Sequence, residues 1–206
     1  FLDGAADTAT FSSPMGCDVD GSGIAFVSDY GNHAIRKIDL GGVTTTLAGT
    51  GVFGSSDNVV GVQATFRGPS GLHVDADGYL FVADLSNGKL RLVAPDGVVS
   101  TLLSGTTNPN GVAVSAAGDI YVSNPVDHVV RAYQKMATPT ASSSAPTLAA
   151  ETWVAGSSGT NGQVEGTLGI AKFNGPRDLA VDPLTTDLVV VESTNILRRV
   201  TAVGRV

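Results

Sequence analysis

Apolar and polar residues alternate along short stretches of this chain, and turn-forming residues separate the stretches. Leu72 and Val74, for example, flank the polar His73, and the stretch Ile120-Tyr121-Val122 begins two residues after Gly118. A period of two is typical of β-strands with one buried face, whereas amphipathic helices repeat about every 3.6 residues. The pattern therefore predicts an all-β protein built from short strands.

The stretches recur in a fixed order that four prolines anchor. An arginine follows each proline after 22 positions: Pro14 and Arg36, Pro69 and Arg91, Pro109 and Arg131, Pro176 and Arg198. Thirteen positions after the prolines stand Val27, Val82, Val122 and Val189, preceded by Phe26, Phe81, Tyr121 and Leu188. Such recurrence predicts four copies of one repeat of about four short antiparallel strands, at about residues 9–50, 64–105, 106–156 and 171–206.

The connections between the predicted strands differ among the copies. An Ala-x-Phe loop precedes three of the prolines, at residues 9–11, 64–66 and 171–173, and the third copy lacks it. The third copy instead carries residues 137–150, which are rich in Ser, Thr, Ala and Pro and are predicted to form a flexible surface insertion. O-glycosylation of this insertion, in a secreted or cell-surface protein, is an alternative interpretation of the same composition. Small sheets that recur in this way bury their faces by stacking on one another, which favours a β-propeller array.

The repeat resembles the NHL repeat. The first copy carries the clearest match, from Pro14-Met15-Gly16 to Phe26-Val27-Ser28-Asp29-Tyr30-Gly31-Asn32-His33-Ala34-Ile35-Arg36. The third copy has Asn124 where the pattern has Asp, and the fourth has Asp178 in place of a glycine. The resemblance implies an NHL-type β-propeller of six blades, of which this single region, residues 1–206, would form a part. The remaining blades are expected in the same parent chain or in a neighbouring subunit.

Charge and composition exclude several classes of function. The chain has 206 residues, 19 acidic against 12 basic side chains, and a formal net charge of −7. Nucleic-acid binders and proteins that adhere to anionic membranes rely on basic patches, so neither partner is expected here. No run of 18 apolar residues is present, and membrane insertion is not expected either. Cys17 is the single cysteine, which rules out an internal disulfide, and its apolar surroundings predict a small buried side chain.

Candidate catalytic chemistry is sparse. The three histidines, His33, His73 and His128, fall at two kinds of repeat position, because His33 and His128 share a turn position and His73 lies on a first strand. Convergence of the three on one metal ion is therefore not expected. The amidating-lyase branch of the fold places zinc ligands directly after the repeat proline, where this chain has Met15, Ser70, Asn110 and Arg177. Lactonase-like propellers use a central calcium site, to which Asp18 could contribute without a matching set of ligands.

These observations predict no catalytic, cofactor-binding or metal-binding residue and no cofactor. The function predicted is a non-catalytic propeller scaffold that mediates protein or glycan interactions in an extracellular or cell-surface assembly. Its partners would be proteins, including additional propeller blades, or a glycan. The alternative is a metal-dependent propeller hydrolase or lyase with a central active site.

Overall fold

The computed structural model describes residues 1–135, 148–167 and 170–201 and contains fifteen β-strands in four antiparallel sheets. We call the sheets blades 1 to 4. Blade 1 contains β1 (Pro14–Val19), β2 (Ala25–Asp29), β3 (Ala34–Ile38) and β4 (Thr44–Ala48). Blade 2 contains β5 (Pro69–Val74), β6 (Leu80–Asp84), β7 (Lys89–Val93) and β8 (Val99–Ser104). Blade 3 contains β9 (Val112–Val114), β10 (Asp119–Asn124), β11 (Val129–Lys135) and β12 (Leu148–Gly156), and blade 4 contains β13 (Pro176–Val181), β14 (Leu188–Glu192) and β15 (Leu197–Val200).

Consecutive strands are neighbours in every sheet, which is the arrangement of a propeller blade. The predicted all-β propeller array of four repeats is therefore confirmed. Helical structure in the described residues is limited to three single 3-10 turns, at Tyr30–Asn32, Gly61–Gln63 and Leu85–Asn87. The third repeat forms a full sheet without an Ala-x-Phe loop, as predicted, although its first strand has only three residues.

The alignment of the fourth repeat was wrong by one residue in its second strand. Leu188 pairs with Val181, as Leu80 pairs with Val74 in blade 2. Val189 therefore corresponds to Phe81, and it does not occupy the valine position that the spacing assigned to it. The turn before β14 has one extra residue, and the turn after it has one fewer, so the spacing from proline to arginine hides the shift.

The chain divides into two compact units, Phe1–Thr106 with blades 1 and 2, and Thr107–Val206 with blades 3 and 4. In the first unit, side chains of blade 1 pack on side chains of blade 2. The buried residues of this core are Phe26, Ile35, Ala48, Ala64, Phe66, Leu72, Val74, Leu80, Val82, Val93 and Val99. Full burial of one large apolar side chain stabilises a fold by about 1.5–3 kcal/mol, so this shared core holds the two blades together.

The second unit has an equivalent core between blades 3 and 4. Its buried residues are Ala113, Tyr121, Val130, Ala132, Ala155, Phe173, Leu179, Leu188, Val190 and Val200. Of the predicted insertion at 137–150, residues 137–147 lie outside the described residues. Residues 148–150 begin β12, so the predicted insertion extended three residues too far. The described residues include no helix that is long and apolar enough to cross a membrane.

Candidate functional site

The repeat arginine of blade 2 is fully buried and serves as an internal clamp. Its guanidinium donates hydrogen bonds to two carboxylates and two backbone carbonyls. The acceptors of Arg91 are Asp84 (2.8 Å), Asp57 (2.7 Å), the Thr65 carbonyl (3.0 Å) and the Ser56 carbonyl (3.0 Å). The ring of Phe66, from the Ala-x-Phe loop, stacks against the guanidinium with its centroid 4.9 Å away. The loop and the sheet are thus joined by a buried, charge-assisted network.

Blades 1 and 4 repeat this clamp. Arg36 pairs with Asp29 at 2.9 Å and Asp3 at 2.8 Å, and Arg198 pairs with Glu192 at 3.1 Å. Rings of the Ala-x-Phe loops again lie against both guanidinium groups. All of these acids belong to the same repeat as their arginine or to the loop before it. The guanidinium groups of blades 1, 2 and 4 also donate hydrogen bonds to backbone carbonyls of the loop before their sheet.

Among the described residues of blade 3, the repeat arginine forms no such clamp. The Arg131 side chain is 27% exposed, and its acidic partners are Glu151 at 2.7 Å and Asp127 at 3.7 Å. Asn124 takes the place of the clamp acid, and its amide donates to Asp127 at 2.9 Å. The order of acid and amide is reversed from blade 1, where Asn32 donates to Asp29 at 2.8 Å. The missing Phe loop, the missing acid and the partly exposed arginine therefore occur together.

Two hydrogen bonds recur at the seam between the blades of both units. In the first unit, the Ser28 hydroxyl donates to the Ser70 carbonyl, and the Gly68 backbone N–H donates to Nδ1 of His33 at 3.1 Å. In the second unit, Ser123 donates to the Arg177 carbonyl at 2.7 Å, and Gly175 donates to Nδ1 of His128 at 3.0 Å. Because Nδ1 accepts a hydrogen bond in both cases, the ring proton of each histidine lies on Nε2. His33 and His128 are thus structural residues at equivalent positions.

The third histidine makes a different contact, which is the candidate site with the most chemistry. Nδ1 of His73, on β5, lies 3.2 Å from Oδ2 of Asp18, on β1. The same carboxylate accepts the backbone N–H of Val74 at 2.9 Å and that of Val19 at 2.8 Å. Both side chains are about one-third exposed, at 30% and 31%.

The electrostatics of the pair favour a charged Asp18. Burial raises the pKa of this carboxyl, but the hydrogen bonds from His73, Val74 and Val19 together lower it below its ordinary value of 3.8. A carboxylate that binds one ring nitrogen of a histidine orients the ring and leaves the other nitrogen for a ligand or a proton. Asp18 and His73 both stand four positions after their prolines, so neighbouring blades bring the same repeat position together.

In the described residues, blade 1 of the first unit and blade 4 of the second unit each have an exposed apolar face. The free face of blade 1 consists of Met15, Cys17, Val19, Ala25 and Val27, of which Met15 is 56% and Val19 55% exposed. The free face of blade 4 consists of Ala180, Val189, Val191 and Leu197, of which Leu197 is 69% exposed. Cys17 is exposed, so its predicted burial was wrong. Alternation predicts which strand face is apolar, and it says nothing of whether another element covers that face.

The described residues contain no group of three or more His, Cys, Asp or Glu side chains that could hold a metal ion. His33 and His73 lie in the first unit and His128 in the second, each with the separate contact described above. Sequence reasoning missed the direct contact between Asp18 and His73, which the shared repeat position could have indicated. It also missed Glu192 as the clamp acid of blade 4, because the extra turn residue moves it to position 16 after the proline.

Comparison with known proteins supports an NHL-like propeller. No family model matches the chain. Ninety-eight residues, 45% of this chain, are 36% identical to NHL repeat-containing protein 2 of Gallus gallus, and they span 13% of that protein. Ninety-two residues, 44% of this chain, are 35% identical to the chloroplastic protein SUPPRESSOR OF QUENCHING 1 of Arabidopsis thaliana, and they span 9% of it. The matched stretch is thus a small part of each relative.

Solved structures show the same fold at low sequence identity. An auxiliary nutrient binding protein from Bacteroides ovatus has a TM-score of 0.71 and 14% identity, over 96% of this chain and 47% of its own. A protein described as a putative gluconolactonase has a TM-score of 0.66 and 15% identity, over 93% of this chain and 61% of its own. A streptogramin B lyase has a TM-score of 0.58 and 12% identity, over 97% of this chain and 58% of its own. These likenesses establish the propeller fold, and they include both binding proteins and enzymes.

Proposed function

We propose that this NHL-like β-propeller is a non-catalytic scaffold that binds protein, and that a further propeller blade covers each of its two free faces. The observation that carries the proposal is the position of the exposed apolar residues in the repeat. In blade 1, Val19 pairs with Ala25 on the next strand, and Ala25 pairs with Ile38 on the strand after it. Val74, Leu80 and Val93 are paired in the same way across blade 2, where they are buried against blade 1.

The free face of blade 1 therefore has apolar residues at the same repeat positions as the face of blade 2 that packs on blade 1. The free face of blade 4 corresponds instead to the face of blade 1 that packs on blade 2. Val189 corresponds to Phe26, and Leu197 to Ile35, and both of those residues face blade 2 in the first unit. Both kinds of face are present in one chain, so a second copy of this chain can supply the blade that each free face would bind.

The use of charged side chains supports a scaffold function. Six clamp residues, Asp29, Arg36, Asp84, Arg91, Glu192 and Arg198, are at most 7% exposed. Their charges are satisfied within their own repeats, so they are not available to a substrate. Exposed apolar patches in soluble proteins commonly mark protein interaction surfaces, which fits the two free faces.

Sedimentation velocity over a range of protein concentrations tests the proposal. We expect the wild-type chain to associate, because a second copy offers each free face the blade face that matches it. Met15→Lys combined with Val19→Lys should shift the protein to a monomer, since each change places a charge on the free face of blade 1. Leu184→Lys is the matched control, because Leu184 is 92% exposed on a turn outside both faces. A wild-type chain that stays monomeric and sediments like the double variant would contradict the proposal.

The proposal includes an extracellular or cell-surface setting and admits a glycan as partner. This part rests on the composition of residues 137–150. Peptide mass mapping of the protein purified from its native source tests it. Added hexose or hexosamine mass on a peptide from this segment would support the setting, and an unmodified peptide would count against it.

A second candidate function, that of a propeller hydrolase or lyase, is favoured by the contact between Asp18 and His73. Two of the structural neighbours are a streptogramin B lyase and a putative gluconolactonase. Turnover of a cyclic ester by the purified chain, with and without added divalent metal, would support this function if His73→Ala abolished it. His33→Asn is the control, because His33 lies in the seam and should not affect turnover.

A further inference from the structure

The second unit contains a pocket of about 240 Å³ beside the turn that joins β9 to β10. Its wall includes the side chains of Ser115, Asp119, Tyr121, Thr186 and Thr201, and its floor includes Leu188 and Val200. Leu188 and Val200 are 2% and 1% exposed and belong to the core of this unit. The pocket therefore combines oxygen-bearing side chains with a small apolar surface.

In the first unit, the repeat positions of Asp119 and Tyr121 carry apolar side chains. Ile24 corresponds to Asp119, because the backbone N–H of the turn residues Asp20 and Ser115 donates to the carbonyl of each. Phe26 corresponds to Tyr121, and it lies in the core together with Leu80 and Val93, the counterparts of Leu188 and Val200. These two repeat positions thus carry apolar side chains in the first unit and oxygen-bearing side chains beside a pocket in the second.

The far side of the pocket shows the same change. Thr201 follows Val200, where Ala94 follows Val93 in blade 2. Thr186 has a backbone φ of 62°, whereas the equivalent turn positions in the other repeats are Gly23, Gly78 and Gly118. A β-branched residue in this left-handed conformation is unfavourable, and such a residue persists only where the surrounding structure compensates it. Four repeat positions have therefore exchanged apolar side chains or glycine for oxygen-bearing side chains around one cavity.

The lining determines the class of ligand. Asp119 is an acceptor that can take hydrogen bonds from two hydroxyl groups, and bonds to a charged acceptor are the stronger ones. The four lining hydroxyls, on Ser115, Tyr121, Thr186 and Thr201, both donate and accept. The described lining residues include no Lys, Arg or His, so an anion would find no opposite charge. A volume below the roughly 300–1,000 Å³ of pockets for drug-sized molecules restricts the ligand to one small molecule.

We infer that this pocket binds a single small neutral polyol, of the size of one sugar ring, with its hydroxyls on Asp119 and Tyr121 and its C–H surface on Leu188 and Val200. The Tyr121 hydroxyl stays protonated and can donate a hydrogen bond at neutral pH, because burial and the nearby Asp119 carboxylate raise the pKa of its phenol. The inference is independent of the proposed scaffold function, since it concerns neither free face.

Ligand-observed NMR tests the inference, with D-glucose, D-galactose, myo-inositol and glycerol as probes of one class and methylammonium as a cationic probe. We expect at least one polyol to bind the wild-type chain. Asp119→Asn should weaken its affinity by about tenfold or more, because hydrogen bonds to charged groups are worth more than neutral ones. Tyr121→Phe, which installs the side chain of Phe26, should weaken it by about two- to tenfold. Tyr79→Phe is the control for the loss of a phenol in blade 2.

Three outcomes would overturn the inference. One is that no polyol binds the wild-type chain. Another is that a polyol binds with equal affinity to the wild type, Asp119→Asn and Tyr121→Phe, all with unchanged circular dichroism spectra. The third is that methylammonium binds and no polyol does, which would assign the pocket to a cation. None of these results would affect the association of the free faces, so the two proposals fail separately.

Discussion

Replacement of Arg91 by methionine is expected to show how much the buried clamp contributes to stability. The change keeps a long apolar side chain against Phe66 but removes the guanidinium from Asp84, which is 0% exposed. Asp84 would then keep only two hydrogen-bond donors, the Asn87 amide and the Arg67 backbone N–H. Removal of one partner from a buried ion pair leaves an uncompensated charge, so we expect a loss of about 3–5 kcal/mol in the free energy of unfolding.

Arg131→Met is the matched control, because this arginine occupies the same repeat position in a blade without a clamp. Its side chain is 27% exposed and its partner Glu151 34% exposed, so we expect a loss of no more than about 1 kcal/mol. Urea unfolding followed by circular dichroism measures both variants. Asp84→Asn in the Arg91→Met background should recover stability, because it removes the uncompensated charge. Equal losses for Arg91→Met and Arg131→Met would refute the clamp as described.

Three further predictions concern other positions of the repeat. Asn124→Asp restores the residue of the NHL pattern, yet it should lower stability by about 1–3 kcal/mol in urea unfolding, because the amide that donates to Asp127 becomes a second carboxylate. Addition of Asp127→Asn, which recreates the order of acid and amide in blade 1, should restore the stability. His33→Ala should cost about 1–2 kcal/mol through the lost seam hydrogen bond, and His33→Asn should cost less in the same assay, since Asn tolerates the positive φ of 52° and can accept the bond. The pKa of Asp18 is below its ordinary value of 3.8, so its charged form adds stability that is complete above about pH 4 and is lost as the pH falls through the lower, folded-state pKa. The stability difference between wild type and Asp18→Asn should therefore shrink in that acidic range. A difference that stays constant down to pH 2 would contradict this assignment.

The sequence predicted the strand order well because each repeat forms from local alternation and turn residues. It failed where the repeat changes length, since a single extra residue before β14 moves every later side chain of that strand by one position. Leu188 and Val189 were assigned one position out of register for this reason.

The candidate site was harder to predict than the strands. Contact between Asp18 and His73 depends on the stacking of two blades, and the spacing within one repeat does not report it. Cys17 was expected to be buried because its strand is apolar, and its exposure depends on what covers blade 1. The pocket at Asp119 and Tyr121 could have been suspected from the sequence, because both replace apolar residues of the first repeat.

The rate at which Cys17 reacts with a small maleimide tests the central claim most directly. This single cysteine is exposed and lies on the free face of blade 1, so its reactivity reports whether another blade covers that face. We predict that the wild-type rate falls as protein concentration rises, while Met15→Lys combined with Val19→Lys reacts fast at every concentration. A wild-type rate that is fast and independent of concentration would show that the face stays open, and it would contradict a scaffold that binds through it.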